Sequence, residues 1–198
     1  MTDLPEPTEC WKAPAEKPTG DDDPSSIYLS VGAALSHWES VENSFAMLFA
    51  ALVESSSPAA NRAFGAIASN LSRREALNNS AQIFLKRHAV TLDDQEEFEI
   101  LMEHYRLASR ICNEIAHGVA ARLNFAGEDR GSFLVPPEYR SKPTDSLMAD
   151  VPDSRRHSIA SANYQYTSHD IAEFASKFHN FQLAIMRFIG EIAQRYGS

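Results

Sequence analysis

Along most of this chain the apolar residues recur at helical spacing. Leu29, Val31, Leu35, Trp38, Val41, Phe45, Leu48, Phe49 and Leu52 follow a 3.6-residue period. They predict a long helix that starts at a capping Ser25 or Ser26 and runs to about Ser55. Ser55-Ser56-Ser57-Pro58 ends the pattern, and a proline-initiated second helix follows with Phe64, Ile67 and Leu71 on one face. Ser72 and Glu75 have the spacing of a capping box, in which each side chain satisfies a free N–H beside the other, and predict a third helix to about His88. Asp93 and Asp94 open a fourth helix at the end where its dipole favours negative charge, with Glu96, Glu97, Glu99 and Glu103 in the turns that follow. Phe98, Leu101, Met102, Tyr105, Ala108, Cys112 and Ile115 form its apolar row, which must face a core.

After His117 the period changes to two. Val119, Ala121, Leu123 and Phe125 share one side of a strand, so the helix is expected to end at His117 with Gly118 as its left-handed terminator. Residues 126–131 predict a turn into Phe133-Leu134-Val135, which Pro136-Pro137 closes. Residues 138–160 are polar and proline-bearing and read as a mobile loop, and Asn163–Thr167 offers a third strand. Ser168 then caps a last helix bearing Ile171, Phe174, Phe178, Phe181, Ile185, Phe188, Ile189 and Ile192. The expected architecture is mainly α: a four- to five-helix bundle with a small β-hairpin or three-stranded sheet inserted before the last helix.

Composition adds a boundary. Residues 1–24 hold five of the ten prolines and an acidic run at Asp21-Asp22-Asp23, which predicts a disordered acidic, proline-rich tail before a single helical domain over 25–198. Trp11 is the exception within it, because a lone tryptophan in a polar tail can dock on the body or on a partner chain. The net charge of −9 argues against a broad basic nucleic-acid footprint, and no apolar run has the length of a membrane span. With no basic start followed by an apolar core, a cytoplasmic location and no membrane partner are expected. Cys10 and Cys112 have neither metal-ligand nor disulfide spacing and read as free thiols.

The candidate chemistry lies at the end of the fourth helix, in Arg110-Ile-Cys-Asn-Glu-Ile-Ala-His117-Gly118. Arg110 and His117 are seven positions apart, nearly two turns, so they share an azimuth to within roughly 20° and stand about 10 Å apart along the axis. Asn113 and Glu114 lie between them on the same stripe. Histidine, with an ordinary pKa near 6.5, can exchange a proton with a ribose 2′-hydroxyl or a leaving oxygen, and arginine offers a planar fork to phosphorane oxygens. Two-sided acid–base work calls for a second histidine, which a symmetric dimer apposing two copies of this helix end would supply.

A basic residue followed after four to six positions by histidine near a helix end, often with glycine next, resembles the HEPN superfamily. Trp38 and Glu42 on the long first helix, the bundle layout, and Ala116-His117-Gly118 before a hairpin extend the likeness. The resemblance implies a helical-bundle protein, many relatives of which are metal-independent endoribonucleases in toxin–antitoxin and phage-defence systems, with Arg and His meeting at a dimer interface. It implies catalytic roles for Arg110 and His117, with Asn113 as the polar residue between them; Glu114 joins these three in the candidate catalytic site on its place in the stripe. It further implies no cofactor, no metal, an RNA substrate, a homodimer, and an antitoxin or other protein partner.

The match is to the long-spaced form. Aligning on Asn113 and His117 places Cys112 where the arginine of the commonest form stands, and the two placements differ by about 200° around a helix. Either the chain is the long-spaced variant, or the arginine is lost and a non-catalytic helical dimerisation and interaction module keeps the fold. Other residues carry bland readings beside functional ones. Glu114 and His117 have the Glu-x-x-His spacing of di-iron bundles, but no second copy exists. Glu39 and Glu42 could orient an imidazole or form a solvated face, and Arg73, Arg74, Lys86 and Arg87 could touch phosphates or form a polar face.

Overall fold

The elements follow in the order α1 (Pro7–Cys10), α2 (Pro24–Leu52), α3 (Pro58–Gly65), α4 (Asn70–His88), α5 (Leu92–His117), β1 (Val119–Phe125), β2 (Glu128–Val135) and α6 (Ser168–Tyr196). This is a computed structural model, and it describes residues 4–125, 127–137 and 164–196. The fold is the mainly α bundle with a small hairpin before the last helix that the periodicity predicts. The expected loop over 138–160 lies outside the described residues. No helix among the described residues is long and apolar enough to cross a membrane.

Several helices start one to three residues from the expected place, because more than one residue near each boundary satisfies the capping rule. The α2 helix begins at Pro24, and the Asp23 carboxylate, rather than Ser25 or Ser26, accepts the Ser25 N–H at 2.9 Å. Ser57 caps α3 as its position predicts, but of the expected face only Phe64 is buried, and Leu71 is 60% exposed in the next helix. The cap of α4 is Ser69, whose hydroxyl accepts the Ser72 N–H at 3.0 Å, so the Ser72–Glu75 box does not form. At α5 the Thr91 hydroxyl accepts the Asp94 N–H at 3.3 Å and donates to the Asp94 carboxylate at 2.9 Å. At α6 the reciprocal box is Thr167–Asp170, not one on Ser168: the carboxylate accepts the Thr167 N–H at 2.8 Å and the hydroxyl accepts the Asp170 N–H at 3.3 Å.

The chain divides into two compact units. The first takes in the described residues of Met1–Trp11, Ser36–Arg110 and Ser176–Ser198. Its centre is aromatic: Tyr105 lies 4.2 Å from Phe45 and stacks on Trp38 at 5.9 Å, while Phe181 meets Phe45 edge-on at 5.7 Å. Into this cluster comes Trp11, 1% exposed, stacked on Phe178 at 5.4 Å and donating its indole N–H to His104 Nδ1 at 2.9 Å. The described residues before α2 are therefore packed against the body, where composition predicts a disordered tail. Composition misleads here because one large ring on an existing core offsets the entropy of ordering a short segment.

The second unit takes in Lys12–Leu35 and the described residues of Ile111–Ala175. Its hairpin pairs β1 and β2 antiparallel, Val119 opposite Val135 through Arg122 opposite Ser132, with a shift between Arg122 and Asn124 before Phe125 meets Glu128. Gly127, with φ +86°, supplies the left-handed residue of the turn. The rest of the expected tail is held here. Asp21 bridges Ser132 at the hairpin, and a Cβ on Gly20 would lie 2.2 Å from the Ser132 carbonyl oxygen, an approach only glycine permits. Asp21 accepts from the Ser168 N–H at 2.7 Å, and Lys17 pairs with Asp170 at 2.6 Å. The third strand expected over Asn163–Thr167 reduces, among its described residues, to a single bridge between Leu134 and Tyr166.

Candidate functional site

The α5 helix is continuous from Leu92 to His117 and carries all four residues of the predicted stripe. Every member of the predicted apolar row from Phe98 to Ile115 is buried, as are Leu107 and Ile111. That burial fixes the azimuth of the polar residues: Arg110, Asn113 and His117 are exposed, and Glu114 is half-buried. Arg110 closes the first unit's stretch of the helix, and Asn113, Glu114 and His117 belong to the second unit.

The helix ends at His117, but not by the expected route. Gly118 does not take a left-handed φ. It is required by crowding, since a Cβ there would lie 2.6 Å from Leu134 Cγ and 3.0 Å from the Glu114 carbonyl oxygen. The chain passes straight from the last helical turn into β1, which keeps His117 at the junction of helix and hairpin.

Two tyrosines not singled out as site residues hold this last turn. The Tyr164 hydroxyl donates to the Glu114 carbonyl oxygen at 2.9 Å, satisfying an acceptor near the helix end. The Tyr166 hydroxyl donates to the Glu114 carboxylate. Tyr166 itself is 1% exposed and meets Phe174 edge-on at 5.4 Å. The alternation Tyr-x-Tyr was legible as strand-like, but the destination of two hydroxyls some 50 residues back along the chain was not.

No family model, curated protein or solved structure matches the chain.

The other candidates separate cleanly. Glu42 in the first unit is 8% exposed, and it accepts the Tyr105 hydroxyl at 3.0 Å and Arg73 Nη1 at 2.6 Å. Burial raises the pKa of its carboxyl against the opposing pull of Arg73 and Tyr105. Arg73 also donates to the Ile67 carbonyl oxygen at 2.9 Å, so this group ties α2, α5 and the approach to α4 together within the core. Glu39 is exposed. Two of the four basic residues on α4 are in ion pairs, Arg73 with Glu42 and Arg87 with Glu54.

Among the histidines, His104 is fully buried and accepts from Trp11, and burial lowers its pKa to about 4 against the pull of Pro5 and Glu103, so it stays neutral. His88 lies 2.8 Å from Glu54, and His37 and His179 pack together. His157 lies outside the described residues. His169, Asp170 and Glu173 have donor atoms within 4.8 Å of one another, but Asp170 is already held by Lys17 and Thr167. Both cysteines are buried, and neither is in a disulfide.

Proposed function

We propose that this chain is a metal-independent endoribonuclease acting as a homodimer, with Arg110 and His117 as its catalytic residues. The observation that carries the reading is the exposed stripe of Arg110, Asn113 and His117 on the last two turns of α5, between rows that are buried at Ile111, Cys112 and Ile115. Imidazole and guanidinium are suited to phosphodiester transfer without a Lewis acid. One histidine takes the proton from a ribose 2′-hydroxyl as that oxygen attacks phosphorus. The bond from phosphorus to the 5′ oxygen breaks, a second histidine protonates that oxygen, and a 2′,3′-cyclic phosphate remains. Arg110 bonds the phosphorane oxygens as negative charge builds there. Asn113 adds a neutral donor, and Glu114, its carboxylate bonded by Tyr166, is a positioning residue for the helix end.

One exposed His117 per chain supplies one proton carrier, so the reading calls for two copies apposed at this helix end. A toxin or defence role with a protein partner belongs to the same proposal by resemblance, and a cytoplasmic location is proposed with it.

Cys112 favours a second reading. It is 7% exposed and faces the core, so a chain following the commoner spacing of the resemblance would have no arginine at the site. The fold would then serve as a dimerisation and protein-interaction module. Wild type and His117→Ala are incubated with labelled RNAs in EDTA, with dimer formation checked by light scattering. Cleavage by wild type alone with cyclic-phosphate ends supports the nuclease. No cleavage of several RNAs by a confirmed dimer overturns it in favour of the module.

A further inference from the structure

Inside the first unit, α4 and α5 enclose a cleft of about 390 Å³. Only residues 89–91 join the two helices, so they run antiparallel. Arg74, Asn78 and Gln82 step along the α4 side one turn at a time, and Glu99 and Glu103 return on the α5 side, also one turn apart. Between the two rows the floor is apolar, with Phe98 and Met102 buried there.

Two opposite charges in this cleft lack partners among the described residues. Arg74 is half-buried, its guanidinium makes no hydrogen bond or ion pair, and its Nε is enclosed from solvent. Its charge reaches Glu103, but both oxygens of that carboxylate accept from Arg106, one of them at 2.7 Å. The Arg106 bonds lower the Glu103 pKa most, and the Arg74 charge adds a smaller pull. Glu99, Asn78 and Gln82 make no side-chain hydrogen bond either.

The signs select the ligand. A simple anion on Arg74 would meet two carboxylates, and a simple cation between those carboxylates would meet Arg74. Arg74 stands level with Glu103, so Glu99 lies about one turn further along, roughly 5.4 Å. That gap is too wide for a direct ion pair, but one molecule with an anion and a cation on neighbouring atoms spans it. An α-amino acid is such a molecule: its carboxylate matches the planar guanidinium fork, and its ammonium matches the Glu99 carboxylate. An enclosed N–H needs an acceptor, and the ligand carboxylate supplies one. The apolar floor then receives the ligand's side chain.

We propose that the α4–α5 cleft binds a free α-amino acid with an apolar side chain, its carboxylate on Arg74, its ammonium on Glu99 and its side chain on Phe98 and Met102. The site stands on the first unit alone and is independent of the ribonuclease reading.

The test is isothermal titration calorimetry of the full chain with L-leucine, L-methionine and L-phenylalanine, at least one of which should bind with a millimolar or lower Kd. The amide of that amino acid lacks the carboxylate and its N-acetyl derivative lacks the ammonium, so each should bind about tenfold or more weakly. Arg74→Met should lose as much for the amino acid and no longer distinguish it from the amide. Glu99→Gln should no longer distinguish it from the N-acetyl derivative. Neither side chain bonds another described residue, so both variants should melt like wild type.

No heat and no melting shift with any of the three amino acids overturns the site, as does undiminished binding by Arg74→Met. An N-acetyl derivative that binds wild type as tightly as the amino acid would make the cleft a plain carboxylate site and overturn the assignment to amino acids.

Discussion

Trp11→Ala tests whether the start of the chain is part of the folded protein. The ring is 1% exposed, stacked on Phe178 at 5.4 Å and edge-on to Phe181 at 6.0 Å, and its N–H donates to a fully buried His104. Truncating a buried tryptophan costs about 3–5 kcal/mol through lost transfer energy and the cavity left behind. Losing the donor to His104 adds about 1 kcal/mol. Trp11→Phe keeps most of the stacking and loses the N–H, so it should cost about 1–2 kcal/mol. Urea unfolding followed by far-UV circular dichroism reads both variants, with the slope on denaturant checked for constancy. A loss below about 0.5 kcal/mol for Trp11→Ala, the size of an ordinary surface substitution, would refute the packing and return residues 4–11 to a disordered tail.

Three further outcomes follow from the same geometry. His104 takes a proton at about 4 when folded and near 6.5 when unfolded, so stability should be unaffected above pH 7 and fall as pH drops from 6.5 toward 4, by up to about 3 kcal/mol. The difference between wild type and His104→Gln across that window isolates it, and parallel pH profiles would sink it. Gly118→Ala should cost about 1–3 kcal/mol although its φ is ordinary, because the new Cβ meets Leu134 and the Glu114 carbonyl; a neutral melting shift would show that the junction yields. Arg73→Met leaves the Glu42 carboxylate buried with only Tyr105, a loss of about 3 kcal/mol. Burial raises the Glu42 pKa in the fold, so that loss should be larger at pH 8 than at pH 5, and equal unfolding curves at both would contradict the argument.

How much of the candidate site was legible depends on how far apart its parts lie along the chain. The stripe on α5 was readable, since the 3.6-residue period that buries Tyr105, Ala108, Cys112 and Ile115 necessarily turns Arg110, Asn113 and His117 outward. The tyrosine clamp on Glu114 was not, because it joins residues 50 and 52 positions apart and depends on where the segment before α6 returns. Gly118 was marked as special, but for the wrong reason: left-handed backbone is a local property, whereas contact with Leu134 depends on the hairpin folding back.

Sequence by itself determined the five longer helices, the switch to a two-residue period after His117, and the apolar side of α5, because these follow from backbone periodicity and local side-chain chemistry. Tertiary structure decided which of several qualified residues caps each helix. It also buried Trp11 against a partner 93 positions away, enclosed Glu42 between Arg73 and Tyr105, and set the start of the chain against the hairpin at Gly20 and Asp21. Those outcomes depend on the closure of long loops around a shared core, and no local pattern encodes the partner at the far end.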